Sequence, residues 1–111
     1  MSQEDNKFNY SNFTLRLQGC KTNSITDDKF DKILVKHKFS ILQRIDHRFN
    51  DFEVLFVRVL PDGHLTLYFN SKQKMCFFDV YTTNGYEYGK VSGKLKMLMK
   101  AKSMDVKYLV R

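Results

Sequence analysis

The chain has 111 residues, 42% of them hydrophobic and 14% aromatic, which is enough for one hydrophobic core and too short for two domains. Ten Phe and six Tyr against five Gly and one Pro exclude a disordered chain, and the formal charge of +7 suits an anionic partner without a Lys or Arg run to specify one. Cys20 and Cys76 stand far apart, neither in a close Cys or His pair, which excludes a disulfide framework and a zinc site and leaves two reduced thiols; no metal is expected.

Residues 1–11 are polar and are expected to form a flexible N-terminus ahead of a single domain over 12–111. They lack the apolar stretch of a signal peptide, and nothing downstream approaches the length of a membrane span, so a cytoplasmic address is expected. Phe13 to Gln18 alternates apolar and polar residues, the period of a half-buried strand, and Gly19 ends it. Between Asn23 and Asp28 lie cap residues, followed by Phe30, Ile33, Leu34 and His37 on one helical face. Phe39–Ile45, Phe52–Leu60 and His64–Phe69 read as strands, the last two joined by the turn residues Pro61, Asp62 and Gly63 as a hairpin.

Met75–Thr82, rich in aromatic and β-branched residues, is a further strand closed by Thr83-Asn84-Gly85. Val91, Leu95, Leu98 and Met99 recur at helical spacing among lysines between Lys90 and Lys102, which predicts an amphipathic second helix. Met104–Val110 alternates as a last strand. The order β-α-β-β-β-β-α-β predicts an α/β (α+β) sandwich, its sheet mainly antiparallel and both helices on one face.

Four segments, taken in order, resemble the small bacterial (class 1B) S-adenosylmethionine decarboxylases. Ser40-Ile41-Leu42 through His47-Arg48-Phe49 is similar to the family's strand ending in His-x-Phe, and His64-Leu65-Thr66-Leu67 to its His-(Ile/Leu)-(Ser/Thr)-Ile strand. Phe78-Asp79-Val80-Tyr81-Thr82 resembles its Val-Asp-(Val/Leu)-Phe-Thr strand, and Lys100-Ala101-Lys102 to Val106 the end of its second helix with its final strand. Upstream, Leu17-Gln18-Gly19-Cys20 is similar to its Leu-Tyr-Gly-Cys. The resemblance implies a decarboxylase-like fold and a chain that pairs as a homo-oligomer, with sites built from both subunits.

Members of that family cut themselves before a serine, and the serine becomes the pyruvoyl group that holds substrate as a Schiff base. Here Asp62 stands at the glutamate before that serine and Gly63 at the serine itself. Glycine has no hydroxyl to attack or eliminate, so Gly63 marks a lost processing site and no pyruvoyl cofactor is expected. The family's active-site histidine falls on Tyr68, its cysteine proton donor on Thr83 and its processing serine on Leu55. Its adenine-stacking phenylalanine falls on Phe49.

Substrate contacts are therefore expected at Phe49, His64, Thr66, Tyr68 and Thr83, with Tyr68 and Asp62 as catalytic candidates. In a regular strand His64, Thr66 and Tyr68 share one face. Tyr68 could sit over a sulfonium, which is attracted to a ring face. Each also has a plain reading: Phe49 and Tyr68 as core aromatics, His64 and His47 as strand histidines, Asp62 as a turn residue and Asp79 as a structural hydrogen-bond acceptor.

Three functions fit these residues. One is a cofactor-free lyase that splits S-adenosylmethionine to methylthioadenosine and homoserine lactone. A second is a catalytically inactive homologue that binds the ligand or a partner subunit and regulates. The last is a basic module that binds nucleic acid through its lysine-rich second helix, less expected because those lysines suit a solvated face.

Overall fold

The computed structural model describes residues 10–83 and 85–110. Its elements in chain order are β1 (Ser11–Gln18), α1 (Asp27–Lys36), β2 (Gln43–Asn50), β3 (Glu53–Leu60), β4 (Gly63–Asn70), β5 (Met75–Thr82), α2 (Tyr88–Met99) and β6 (Ser103–Val110). They form one six-stranded sheet in the order β2-β3-β4-β5-β1-β6, with every neighbouring pair antiparallel.

The expected element order holds, with one strand displaced. Of the flexible N-terminus expected over residues 1–11, residues 1–9 lie outside the described residues, and β1 starts at Ser11. The strand expected over Phe39–Ile45 starts only at Gln43. After α1 the chain turns through Lys38 in the left-handed region (φ 70°), and Phe39 drops into the core against Tyr86, their rings stacked 4.0 Å apart. Phe39 is apolar because it plugs the space under a turn, and alternation alone does not separate that from a strand start.

Local chemistry sets the helix ends. Thr26 caps α1, its Oγ1 accepting from the Lys29 amide at 3.2 Å, with Asp27 and Asp28 in the first turn and Lys36 in the last, each sign matching the helix dipole. In α2, Lys100 supplies the left-handed C-terminal residue at φ 52°, where glycine is the more common choice.

Alternation along the strands sends Phe13, Leu15, Leu17, Phe56, Leu65, Leu67, Phe69, Phe78 and Val80 to one face, where all are buried. Both helices pack there, Phe30 of α1 against Phe56 and Phe78 (5.7 and 6.0 Å) and Tyr88 of α2 stacked on Phe13 at 4.5 Å. Burying each such side chain contributes about 1.5–3 kcal/mol, so this one layer carries the fold.

Arg58 breaks the alternation. It occupies a core position of β3 between Phe56 and Leu60 and is 0% exposed. Its Nε donates to Asp31 of α1 at 2.7 Å and its Nη1 to Asp46 of β2 at 2.6 Å, while its guanidinium lies over the Phe30 and Phe56 rings. Arg44 reaches the same Asp31 at 2.8 Å. Burial opposes the charged guanidinium, yet its hydrogen bonds to Asp31 and Asp46 carry the balance and raise its pKa. The cation therefore pins α1 to the β2 side of the sheet.

Both thiols are buried, and burial raises the pKa of each, Cys76 the more strongly. Neither thiolate forms readily, so neither cysteine should react with a disulfide reagent in the native protein. Titration should find two reactive thiols per chain only after unfolding; a thiol that reacts at the native rate of free cysteine would contradict this packing.

Candidate functional site

Among the described residues no helix covers the second face of the sheet, and the antiparallel register lays its side chains out in rows. One row runs His47, Leu55, Tyr68, Phe77, Arg16 and Asp105; the next runs Ile45, Val57, Thr66, Asp79, Thr14 and Lys107; a third runs Gln43, Val59, His64, Tyr81, Asn12 and Leu109. His64, Thr66 and Tyr68 thus lie together on this open face, while Leu65, Leu67 and Phe69 point to the core. Leu55, Val57 and Val59 are only half buried beside them.

Tyr68 stands directly opposite Leu55 and donates its hydroxyl to a carboxylate oxygen of Glu53 in a short hydrogen bond. Asn70 Nδ2 donates to the same phenol oxygen at 3.2 Å, and Asn50 Nδ2 to the other Glu53 oxygen at 2.7 Å. The Glu53 carboxylate, as acceptor, raises the Tyr68 pKa, and the Tyr68 hydroxyl followed by the Asn50 amide lowers that of Glu53. Tyr68 is thus a neutral donor at ordinary pH and no general base.

The bond's contribution is bounded on both sides. It is present above the ordinary carboxylate range and is lost as pH falls through the lowered Glu53 value. It is also present below the ordinary tyrosine value of 10.0 and is lost as pH rises through the raised Tyr68 value. Tyr68→Phe should therefore move the Glu53 carboxyl titration upward when followed by carbon NMR; an unmoved Glu53 would show that the bond does not form in solution.

Phe49 occupies a β-bulge, where the β2–β3 register shifts between Arg48 and Asn50, and it is 53% exposed with its ring edge against His47 at 4.5 Å. It is therefore no core aromatic in this chain, and its ring is exposed beside His47, the residue in line with Leu55 and Tyr68 across the sheet. Asp79 accepts from Asn12 Nδ2 at 2.8 Å and Thr14 Oγ1 at 3.1 Å, the structural role expected of it.

Asp62, Gly63 and Thr83 gather at the other end of β4. Leu60 pairs with Gly63 across the two-residue turn Pro61-Asp62. The Asp62 carboxylate accepts from Thr82 Oγ1 at 2.9 Å and from the Tyr86 hydroxyl at 3.2 Å, and its carbonyl accepts the Thr83 amide at 3.1 Å. A cleft of about 380 Å³ opens beside it, lined by His37, Lys38, Ser40, Pro61, Asp62 and Tyr86 among others. On the open face nearby, Tyr81 is stacked between Tyr10 (5.0 Å) and His64 (5.8 Å). Tyr81 was legible in the sequence only as part of an aromatic strand, because its stacking partners come from two distant segments.

Within one chain these two groups are separate. Five residue steps along β4 separate Gly63 from Tyr68, which at about 3.3 Å each is roughly 17 Å. The structure brings Tyr68 together with Leu55, Glu53 and Phe77, and Asp62 together with Gly63 and Thr83, but does not bring Asp62 to Tyr68.

Gly63 has φ 155°, and a Cβ built there would lie 1.9 Å from the Tyr81 carbonyl oxygen and 2.8 Å from the Thr82 Cα. The tip is thus shaped around a residue without a side chain. Glycine itself offers no hydroxyl from which a pyruvoyl group could be made.

The profile of the S-adenosylmethionine decarboxylase family matches residues 12–111, and the chain belongs to that family. Among solved structures it is similar to the adenosylmethionine decarboxylase from Aquifex aeolicus VF5, with a TM-score of 0.78 at 12% identity, over 90% of this chain and 88% of that one. The likeness in structure shows the shared fold: an antiparallel six-stranded sheet with two helices. No curated protein sequence matches the chain. No described helix is long and apolar enough to cross a membrane.

Proposed function

We propose that this protein binds S-adenosylmethionine on the open face of its sheet and cleaves it without a cofactor to methylthioadenosine and homoserine lactone. The observation that carries the proposal is the Gly63 tip: the position that would supply pyruvoyl has neither a hydroxyl nor room for one, while aromatic and polar side chains still line the open face of the sheet. Family membership supports the ligand.

The reaction balances within the substrate. A carboxylate oxygen attacks the γ-carbon, the carbon–sulfur bond breaks, and its electron pair returns to sulfur, which leaves as the neutral thioether. No proton has to move, so no general base is required, and the Tyr68–Glu53 lock is compatible with the chemistry. Alignment is the protein's task, and holding reacting groups in place contributes up to about 7–11 kcal/mol in the best cases. Phe49 and the Tyr81–His64 stack offer faces for adenine, and the Tyr68 ring with Glu53 offers a place for the sulfonium.

A homo-oligomer completes this reading. Two copies packed open face to open face about a two-fold axis across the strands would set the Tyr81–His64 stack of one over Tyr68 and Phe49 of the other, bringing together groups that lie apart within one chain. The half-buried Leu55, Val57 and Phe77 would be covered by the same contact.

A ligand-binding or regulatory subunit without activity is the second reading, and one observation favours it: both Asp62 oxygens and the Tyr68 proton are already engaged within the chain. Incubation of the purified protein with S-adenosylmethionine, followed by mass spectrometry, separates the two. Methylthioadenosine with homoserine lactone is expected; intact ligand recovered from a measured complex would establish the silent binder instead.

A further inference from the structure

Glycine in a helix is destabilising unless something needs to approach its backbone. Gly89 and Gly93 lie one turn apart on α2, and an added Cβ at either would meet nothing within 4 Å. No described part of this chain requires them to be glycine. Together with Met97, which is 73% exposed, they floor an open groove of about 440 Å³ that runs along α2 beside the end of α1.

The rim of this groove is basic: Lys36, Lys90 and Lys94 line it, and among the described residues Lys36 and Lys94 make no ion pair, while Lys90 bonds Glu87 at 2.9 Å. At its head is His37, only 8% exposed, with an Nε2 that has no hydrogen-bond partner among the described residues. A buried polar atom without a partner points to a group that is missing, since such atoms are almost always satisfied in native proteins.

We infer that this groove is a docking site for an acidic amphipathic helix of a partner protein. The glycines at one-turn spacing allow a helix backbone to lie close, Met97 supplies a flexible apolar contact, and the lysine rim selects carboxylates on the flanks of the incoming helix. A second copy of this face would bring its lysines against their own kind on a chain of charge +7, so charge complementarity favours an acidic partner over self-association. The groove lies on the helix side of the sheet, away from the open face proposed to hold S-adenosylmethionine; it shares only His37 with the cleft beside Asp62, and the peptide experiment does not depend on that reading.

The test uses the full chain and a synthetic helical peptide of roughly 20 residues, about five turns, with Ala and Leu along one face and Glu on both flanks. Fluorescence anisotropy should show saturable binding, and amide shifts in NMR should map to residues 36, 37, 89, 93 and 97. The same peptide with Lys in place of Glu should bind at least about tenfold more weakly. Gly93→Ala gives a readout of opposite signs: the melting temperature should rise by roughly 5 °C, as expected for Ala in a helix, while peptide affinity falls. Gly93→Leu should abolish binding in a folded protein. Absence of binding, affinity unchanged in Gly93→Ala, or shifts confined to the open sheet face would overturn the inference. So would sedimentation showing that Gly93→Leu abolishes self-association, or preferential binding of anionic vesicles over the peptide.

Discussion

Replacing Arg58 with alanine is expected to destabilise the fold by about 3–5 kcal/mol, the range for removing one partner of a buried ion pair. The guanidinium is fully buried and is the shared partner of Asp31 and Asp46, so its loss leaves Asp46 without its cation and Asp31 with Arg44 alone, and opens a cavity beside the Phe30 and Phe56 rings. A loss of that size is a large fraction of the roughly 5–15 kcal/mol available to a domain. Arg58→Lys should recover only part of it, because an ammonium cannot reproduce the planar fork that reaches both acids. Urea denaturation of the three proteins checks the order; a midpoint for Arg58→Ala within error of the parent would mean that the cluster does not form.

Gly63→Ser is expected to cost about 3 kcal/mol and to leave the chain uncut. The first effect follows from the Tyr81 carbonyl that fills the Cβ position, together with a backbone conformation that side chains rarely adopt. The second follows from the pinning of the tip: Thr82 and Tyr86 hold the Asp62 side chain, and the Thr83 amide holds the carbonyl that a serine at 63 would have to attack. Restoring the hydroxyl therefore does not restore the geometry for its attack. Denaturation and intact-mass measurements on the variant report the two effects separately; efficient self-cleavage would show that the tip yields easily and that only the hydroxyl was missing.

Much of this architecture is legible in the sequence because strand periodicity is strong here. The alternation of Phe13–Gln18, Met75–Thr82 and Met104–Val110 places those strands within two residues, and Pro61-Asp62-Gly63 marks the hairpin. Two features are hidden for a physical reason. Arg58 sits where alternation calls for an apolar residue, and only its partners, 27 and 12 residues away, explain why a charge is tolerated there. The bulge at Phe49 depends on the β2–β3 register, which periodicity does not specify.

The candidate site divides in the same way. His64, Thr66 and Tyr68 share a face because a strand has a period of two, so their grouping follows from sequence alone. Glu53 is the residue missed: it bonds Tyr68 across the β3–β4 pair, 15 positions away, and nothing in its local sequence marks it. The roughly 17 Å between Gly63 and Tyr68 is likewise a fact of strand length that short motifs do not reveal.

The central claim is that this member of the family engages S-adenosylmethionine as an uncut chain. Native mass spectrometry of the purified protein with the ligand tests it in one measurement. The expected spectrum holds only full-length chains of about 13.2 kDa, alone or paired, with a population carrying the ligand or its cleavage product. Two fragments divided near Gly63, the second blocked at its N-terminus, would contradict the claim, as would a full-length chain with no affinity for the ligand.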